Sequence, residues 1–454
     1  MMNALERRST FALSSIFALR MLGLFMIIPV FAVAGQTYQY ATPALLGFAV
    51  GVYGLSQAIL QIPFSLWADR FSRKPLVVIG LLLFALGGAI AAMSHTIYGV
   101  ILGRAIAGAG AVSAVVMALL ADVTREENRT KAMAAMGMSI GLSFVVAFSL
   151  GPWLTHLVGI SGLFWVTTVM GLVAILMLLL VPKVTRHHRN FQQGYITQLK
   201  QVLKMGDLNR LHVSVFTLHL LLTAMFIYVP SQLIKFADIP LQHHGWVYLP
   251  LLLVSLFVAF PSIVLAEKYR KMRGIFLTAI AGIILGLLVL IFGFESKYIL
   301  LLGLGLFFIA FNVMEALLPS WLSKAAPIQS KATAMGVNAS SQFLGAFFGG
   351  MIGGQLLMLN HTAMGWSILT AIAIIWLLVS FGLAQPRYLS SLVLRLPENR
   401  ETDEWTSQLL AIRGIEEVVV MSDQQVAYVK VDKQHIDDAA RQHLTHLLGK
   451  EVAI

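Results

Sequence analysis

The chain is predicted to be an all-α membrane protein: twelve transmembrane helices in two six-helix bundles, followed by a small α+β domain. Three observations predict it. Hydrophobic residues fill 58% of the 454 positions and charged residues only 12%, more apolar surface than a water-soluble core of ordinary proportions buries. Apolar runs of about 20 residues, the length that crosses a hydrocarbon layer of about 30 Å, recur between Phe11 and Ala384. The charged stretch Ala68-Asp69-Arg70-Phe71-Ser72-Arg73-Lys74-Pro75 returns 198 positions later, in degraded form, as Ala266-Glu267-Lys268-Tyr269-Arg270-Lys271-Met272-Arg273.

In order, the runs are 11–35, 44–67, 75–94, 97–121, 131–157, 161–181, 210–234, 244–266, 274–294, 297–322, 331–358 and 363–384. Basic residues alternate between the loops that join them. Arg70, Arg73, Lys74, Arg125, Arg129, Lys131, Lys183, Arg186, Arg189, Lys268, Arg270, Lys271, Arg273 and Lys324 fall on one side, and only Lys235 and Lys297 on the other. Short basic loops stay cytoplasmic, so both termini are expected there, in a multi-pass membrane protein. The first run lacks a small-residue cleavage site and is expected to be retained.

The repeat divides the chain. Lys131-Ala132-Met133-Ala134-Ala135-Met136-Gly137 aligns with Lys331-Ala332-Thr333-Ala334-Met335-Gly336 after a one-residue gap, so span eleven echoes span five. The expected units are a first bundle over residues 1–182, a cytoplasmic linker over 183–209, a second bundle over 210–387 and a cytoplasmic domain over 388–454. Paired bundles of this kind hold substrate near the bilayer midplane and rock around it. The last unit carries a net charge of −4 against +15 for the rest. Its elements run strand 389–396; helix from Thr402, with Trp405, Leu409 and Ile412 on one face; strands 417–421 and 425–431 around Ser422-Asp423; helix 437–448 stopped by Gly449; and a possible strand 451–454. That order suggests a ferredoxin-like fold.

Several chemistries find no support. The chain has no cysteine and therefore no disulfide or thiolate site. It has no Gly-x-x-x-x-Gly-Lys-Ser/Thr sequence to bind ATP. His435, His443 and His446 lack a metal-ligand spacing and read as a solvated face, so neither metal nor cofactor is expected. The partners expected are lipid, protons and a small molecule, not nucleic acid, and the chain is read as a monomer.

Ionisable groups within spans are functional candidates, because burying one costs about 2.5–3.5 kcal/mol even on the lower scales. Glu315 is the one acidic residue deep in a span; burial favours its protonated form, so it is a candidate proton carrier. A permanently paired structural carboxylate is the alternative. Arg20 is read as a cavity residue or one that bonds backbone carbonyls. Gln57, Gln61, Asn312, Asn338 and Gln342 either line the cavity or bridge helices, and His95, His156 and His219 either relay protons or satisfy local hydrogen bonds. Asp69 ends span two and Asp122 ends span four; with Arg73 they form either a latch, closed while the outer face is open, or ordinary solvated charge. The 27 Phe and 20 Met suit a deformable cavity as well as a lipid-facing surface.

Residues 10–385 resemble the major facilitator superfamily, and within it the twelve-span drug:proton antiporters. Ser65, Asp69, Arg70, Ser72, Arg73 and Lys74 match the family's Gly-x-x-x-Asp-Arg-x-Gly-Arg-Arg/Lys loop, with serine at both glycine positions. Arg104, Gly108 and Gly110 match the span-four motif, which implies that Arg104 tunes a proton site. Gly137, Gly141, Gly151 and Pro152 match the antiporter motif of span five, whose trailing glycine pair is missing. The acidic tail resembles the YAM domain found on some of these transporters, and is expected to touch the chain's own cytoplasmic loops. The resemblance implies a proton-coupled exporter of small lipophilic or cationic compounds in the bacterial inner (cytoplasmic) membrane. A symporter for a polar solute, or a membrane sensor signalling through the tail, are the alternatives.

Overall fold

A computed structural model describes residues 2–182, 195–328, 330–359, 361–386, 388–397, 402–421, 425–432, 435–436 and 438–448. The expected strand 451–454, the Ser422-Asp423 turn, linker residues 183–194, and the side chains of Asp69 and Arg70 lie outside the described residues. The helices are α1 (Ala4–Phe25), α2 (Ile28–Ala34), α3 (Pro43–Arg70), α4 (Arg73–Met93), α5 (Ile97–Ala109), α6 (Ser113–Asp122), α7 (Glu126–Met177), α8 (Tyr195–Lys204), α9 (Gly206–Ala237), α10 (His244–Lys268), α11 (Met272–Gly293), α12 (Lys297–Ala325), α13 (Lys331–Leu356) and α14 (Thr362–Ser380). The tail adds β1 (Ser390–Arg395), α15 (Thr402–Leu410), β2 (Ile415–Met421), β3 (Val426–Val431) and α16 (Asp438–Leu448).

Among the described residues, ten helical segments are long and apolar enough to cross a membrane. One of them joins the expected fifth and sixth spans, but Gly159 interrupts α7 at φ 72°, a left-handed conformation that glycine adopts without a Cβ penalty. The Gly-rich α13 falls outside the ten and packs against α3 and α9. Three boundaries differ from expectation. The first helix starts at Ala4 and not at 11, because Asn3 and Glu6 form a reciprocal capping box. The fourth span breaks at residues 110–112 into α5 and α6. The linker contains α8, whose Gln198 accepts a 2.8 Å hydrogen bond from Thr333.

Helix pairs α3–α13, α7–α10 and α2–α9 join the halves, and the first two of these seams close at one end only. The end that carries residues 69–74 is called the hinge end here. Along α3 and α13, glycines let the backbones touch in the half far from the hinge: a Cβ on Gly47 would lie 2.2 Å from the Gly350 carbonyl, and one on Gly51 2.6 Å from that of Phe347. Along α7 and α10, a Cβ on Gly245 would lie 2.0 Å from the Ser149 carbonyl. Beside it Phe144 and Phe148 of the first half, backed by Phe25, meet Phe226, Phe311 and Tyr248 of the second, with Phe148 and Phe226 centroids 3.9 Å apart. Toward the hinge the same faces part, and nothing lies within 4 Å of a Cβ on Gly137, Gly141 or Gly336. The halves therefore splay apart at the hinge end.

The tail folds as an antiparallel sheet of order β1-β3-β2, with Ser390 opposite Val431, Met421 opposite Val426, and a register shift between Ile415 and Glu417. Trp405, Leu409, Val429 and Leu444 bury its core. It sits at the hinge end of the second half. Asp432 accepts from Arg270 at 3.2 Å, Glu417 accepts from the Ile328 amide at 2.8 Å, and Lys430 donates to the Ala326 carbonyl at 2.6 Å.

Candidate functional site

The residues singled out in the sequence separate into three groups. The first lies inside the first half. Arg20 of α1, 2% exposed, donates to Ser113 Oγ (2.7 Å), Tyr53 Oη (3.0 Å), Gln57 Oε1 (2.5 Å) and the Gly110 carbonyl (3.0 Å). The break between α5 and α6 frees that carbonyl from helical pairing and offers it to the guanidinium. Arg104, 3% exposed, donates to the Ala49 and Val50 carbonyls at 2.6 and 3.1 Å and lies 5.5 Å from the Tyr53 ring. Hydrogen bonds to a charged group contribute about 1.5–3 kcal/mol each, enough to offset burial of either cation. Among the described residues neither arginine pairs with a carboxylate.

This arrangement differs from the cavity lining expected of Arg20, Gln57 and Gln61. Gln57 and Gln61 are buried, and Gln57 bridges Arg20 and Ser113, so in this conformation Gln57 joins helices within one bundle. Asn338 is likewise buried, on α13. Tyr53 and Ser113, which complete the network, carried no sequence signal, since an isolated Tyr or Ser in an apolar run resembles any other.

The second group lies in the second half. Glu315 of α12 keeps 43% of its side chain exposed, and its Oε2 stands 3.6 Å from His219 Nε2 of α9. His219 Nδ1 contacts the Val215 carbonyl at 3.0 Å, and Gln342 Nε2 of α13 contacts His219 Nε2 at 2.7 Å. With Nδ1–H donated to the carbonyl, Nε2 holds a lone pair that accepts the amide N–H and can accept a proton. Asn312 ties α12 to α10 through Ser255 at 2.6 Å. An acid, an imidazole and an amide from three helices thus meet at mid-span.

The third group is the hinge. Arg73 pairs with Asp122 at 2.5 Å and also donates to the Ala118 carbonyl, tying the start of α4 to the end of α6, while Lys74 donates to the Val181 carbonyl. Ser65 donates to the Gln61 carbonyl of its own helix, and Ser72 caps α4 without a side-chain bond. The second half repeats the scheme with charges exchanged: Glu267 receives Lys324 and Ser320 from the end of α12, and Arg273 donates to the Leu383 and Phe381 carbonyls at 2.7 and 2.9 Å. Glu6 was not anticipated; it accepts from Arg125 and Asn128 and joins α1 to the start of α7. Of the span-five glycines, Gly151 lets α7 approach Met26, Pro152 lies inside α7, and Gly137 and Gly141 face open space.

Two packed halves with repeated hinges and buried ionisable groups define a membrane transporter, and the chain belongs to the Major Facilitator Superfamily, whose profile matches residues 13–350. It is not an enzyme. It is 42% identical to the inner membrane transport protein YajR of Escherichia coli over 96% of this chain and 98% of that one. Multidrug resistance protein 2 of Bacillus subtilis is 26% identical over 77% of this chain and 88% of its own. The fold is shared with the D-xylose-proton symporter at a TM-score of 0.71 and 14% identity, over 84% of this chain and 98% of that structure.

Proposed function

We propose that the protein is a proton-coupled exporter of small lipophilic or cationic compounds, seated in the bacterial inner membrane as twelve spans in two bundles, with both termini in the cytoplasm. One observation carries this reading: Glu315, half-exposed at mid-span, stands beside His219, so a proton and a cationic solute would compete for one carboxylate. The similarity to a multidrug resistance protein supports efflux. The seams, parted at the hinge end, support alternating access with the cavity facing the cytoplasm, and Arg104 tunes the first half by holding a fixed charge. The Arg73–Asp122 pair is formed while the hinge end is open.

The tail is read as ferredoxin-like, from the element order β1-α15-β2-β3-α16 and the sheet order β1-β3-β2. Its bonds to Arg270, Ala326 and Ile328 support a role in setting hinge opening. The deciding experiment is a substrate screen in vesicles with an imposed pH gradient, comparing the parent with Glu315→Gln and Arg104→Ala. Gradient-driven transport that survives in Glu315→Gln overturns the proton assignment. Uptake in the direction of the proton identifies the symporter instead.

A further inference from the structure

We propose that His212 is a second proton station, which passes protons between the Glu315–His219 pair and the hinge end of the second half. The proposal rests on the proton coupling proposed above and assigns it a route. His212 lies on α9, 5% exposed, with the Asn338 side chain of α13 as the hydrogen-bonding neighbour of its ring and no partner for the second ring nitrogen among the described residues. A buried imidazole with one ring nitrogen left unpaired carries a cost that an apolar residue at this packed position would avoid.

Placement gives the group a use. His212 is seven residues before His219, two helical turns or about 10 Å nearer the hinge. Gln342 and Asn338 are one turn apart on α13, which packs against this helix, and line the interval with amides able to bind water. A proton leaving the Glu315 carboxyl adds to the His219 Nε2 lone pair, giving carboxylate and imidazolium. Water between the amides carries it on to a free nitrogen of His212, which releases it toward the hinge end. The other charged groups on the elements packed against α9 are committed or exposed: Asp207 and Arg210 pair with each other at 3.2 Å, Lys324 pairs with Glu267, Lys200 and Lys204 are exposed on α8, and Lys331 and Lys297 stand at helix starts.

The test uses the full chain in lipid nanodiscs with ¹⁵N-labelled histidine, its signals assigned through His212→Gln and His219→Gln and followed from pH 5 to 9. The His212 ring is expected to pass between neutral and doubly protonated forms within this range, with a midpoint that moves in Glu315→Gln. A ring that stays in one neutral tautomer throughout, or a midpoint that ignores Glu315→Gln, overturns the proposal. Failure of the proposed function registers separately, as gradient-driven vesicle transport by Glu315→Gln.

Discussion

Glu315 Oε2 lies 3.6 Å from His219 Nε2, while Gln342 holds the same nitrogen at 2.7 Å. The amide thus holds the imidazole, which faces the acid on one side and leaves nearly half of it exposed. Glu315→Gln is expected to abolish gradient-driven transport but to retain exchange of substrate across the membrane, since exchange needs no net proton release. His219→Gln, which keeps hydrogen bonding but not titration, is expected to slow gradient-driven transport at least tenfold. Vesicle transport measured with and without a pH gradient checks both.

The hinge predicts a graded response. The Arg73–Asp122 pair is partly exposed, so Asp122→Asn is expected to cost about 0–1 kcal/mol of stability. Arg73→Ala also removes the donor to the Ala118 carbonyl and is expected to cost more. Thermal unfolding in detergent ranks them, and a larger loss for Asp122→Asn counts against the geometry.

The glycine seam predicts a shift in conformation. A Cβ on Gly47 meets the Gly350 carbonyl at 2.2 Å, so Gly47→Ala is expected to disfavour the closed far end by about 1–3 kcal/mol, a change of about 5–150-fold in the population ratio. Distances between spin labels at the two ends report it, the far end widening as the hinge end narrows.

The tail predicts a local release. Tyr388 donates to the Ala266 carbonyl, accepts from the Met272 amide at 3.0 Å, and lies 5.3 Å from Arg270 and 5.1 Å from Lys324. Burial raises its pKa above the usual phenol value, so the O–H stays available as a donor at neutral pH. Tyr388→Phe combined with Asp432→Ala is expected to raise hydrogen exchange in the loop of residues 266–273 and in β3 at least tenfold, leaving the first half unchanged.

Much of this was legible in the sequence, for stated physical reasons. Span lengths follow from membrane thickness, and the capping residue Thr402 and the strand patterning predicted the tail elements. The repeat at 68–75 and 266–273 marked both hinges. What escaped depended on which face each side chain took. Gln57 and Gln342 look alike in sequence, yet one is sealed against Arg20 and the other reaches His219. Glu6 read as part of a charged terminus, although its carboxylate bonds residues more than a hundred positions away.

Arg20 and Arg104, buried in the first half, have a consequence for energetics. Arg20 and Arg104 are held by carbonyls, hydroxyls and an amide, with no described carboxylate to cancel them. Fixed charge inside a rocking body couples that body to membrane voltage, by about 2.3 kcal/mol for each full charge moved through 100 mV. Turnover would then respond to voltage even when the exchanged species carry no net current.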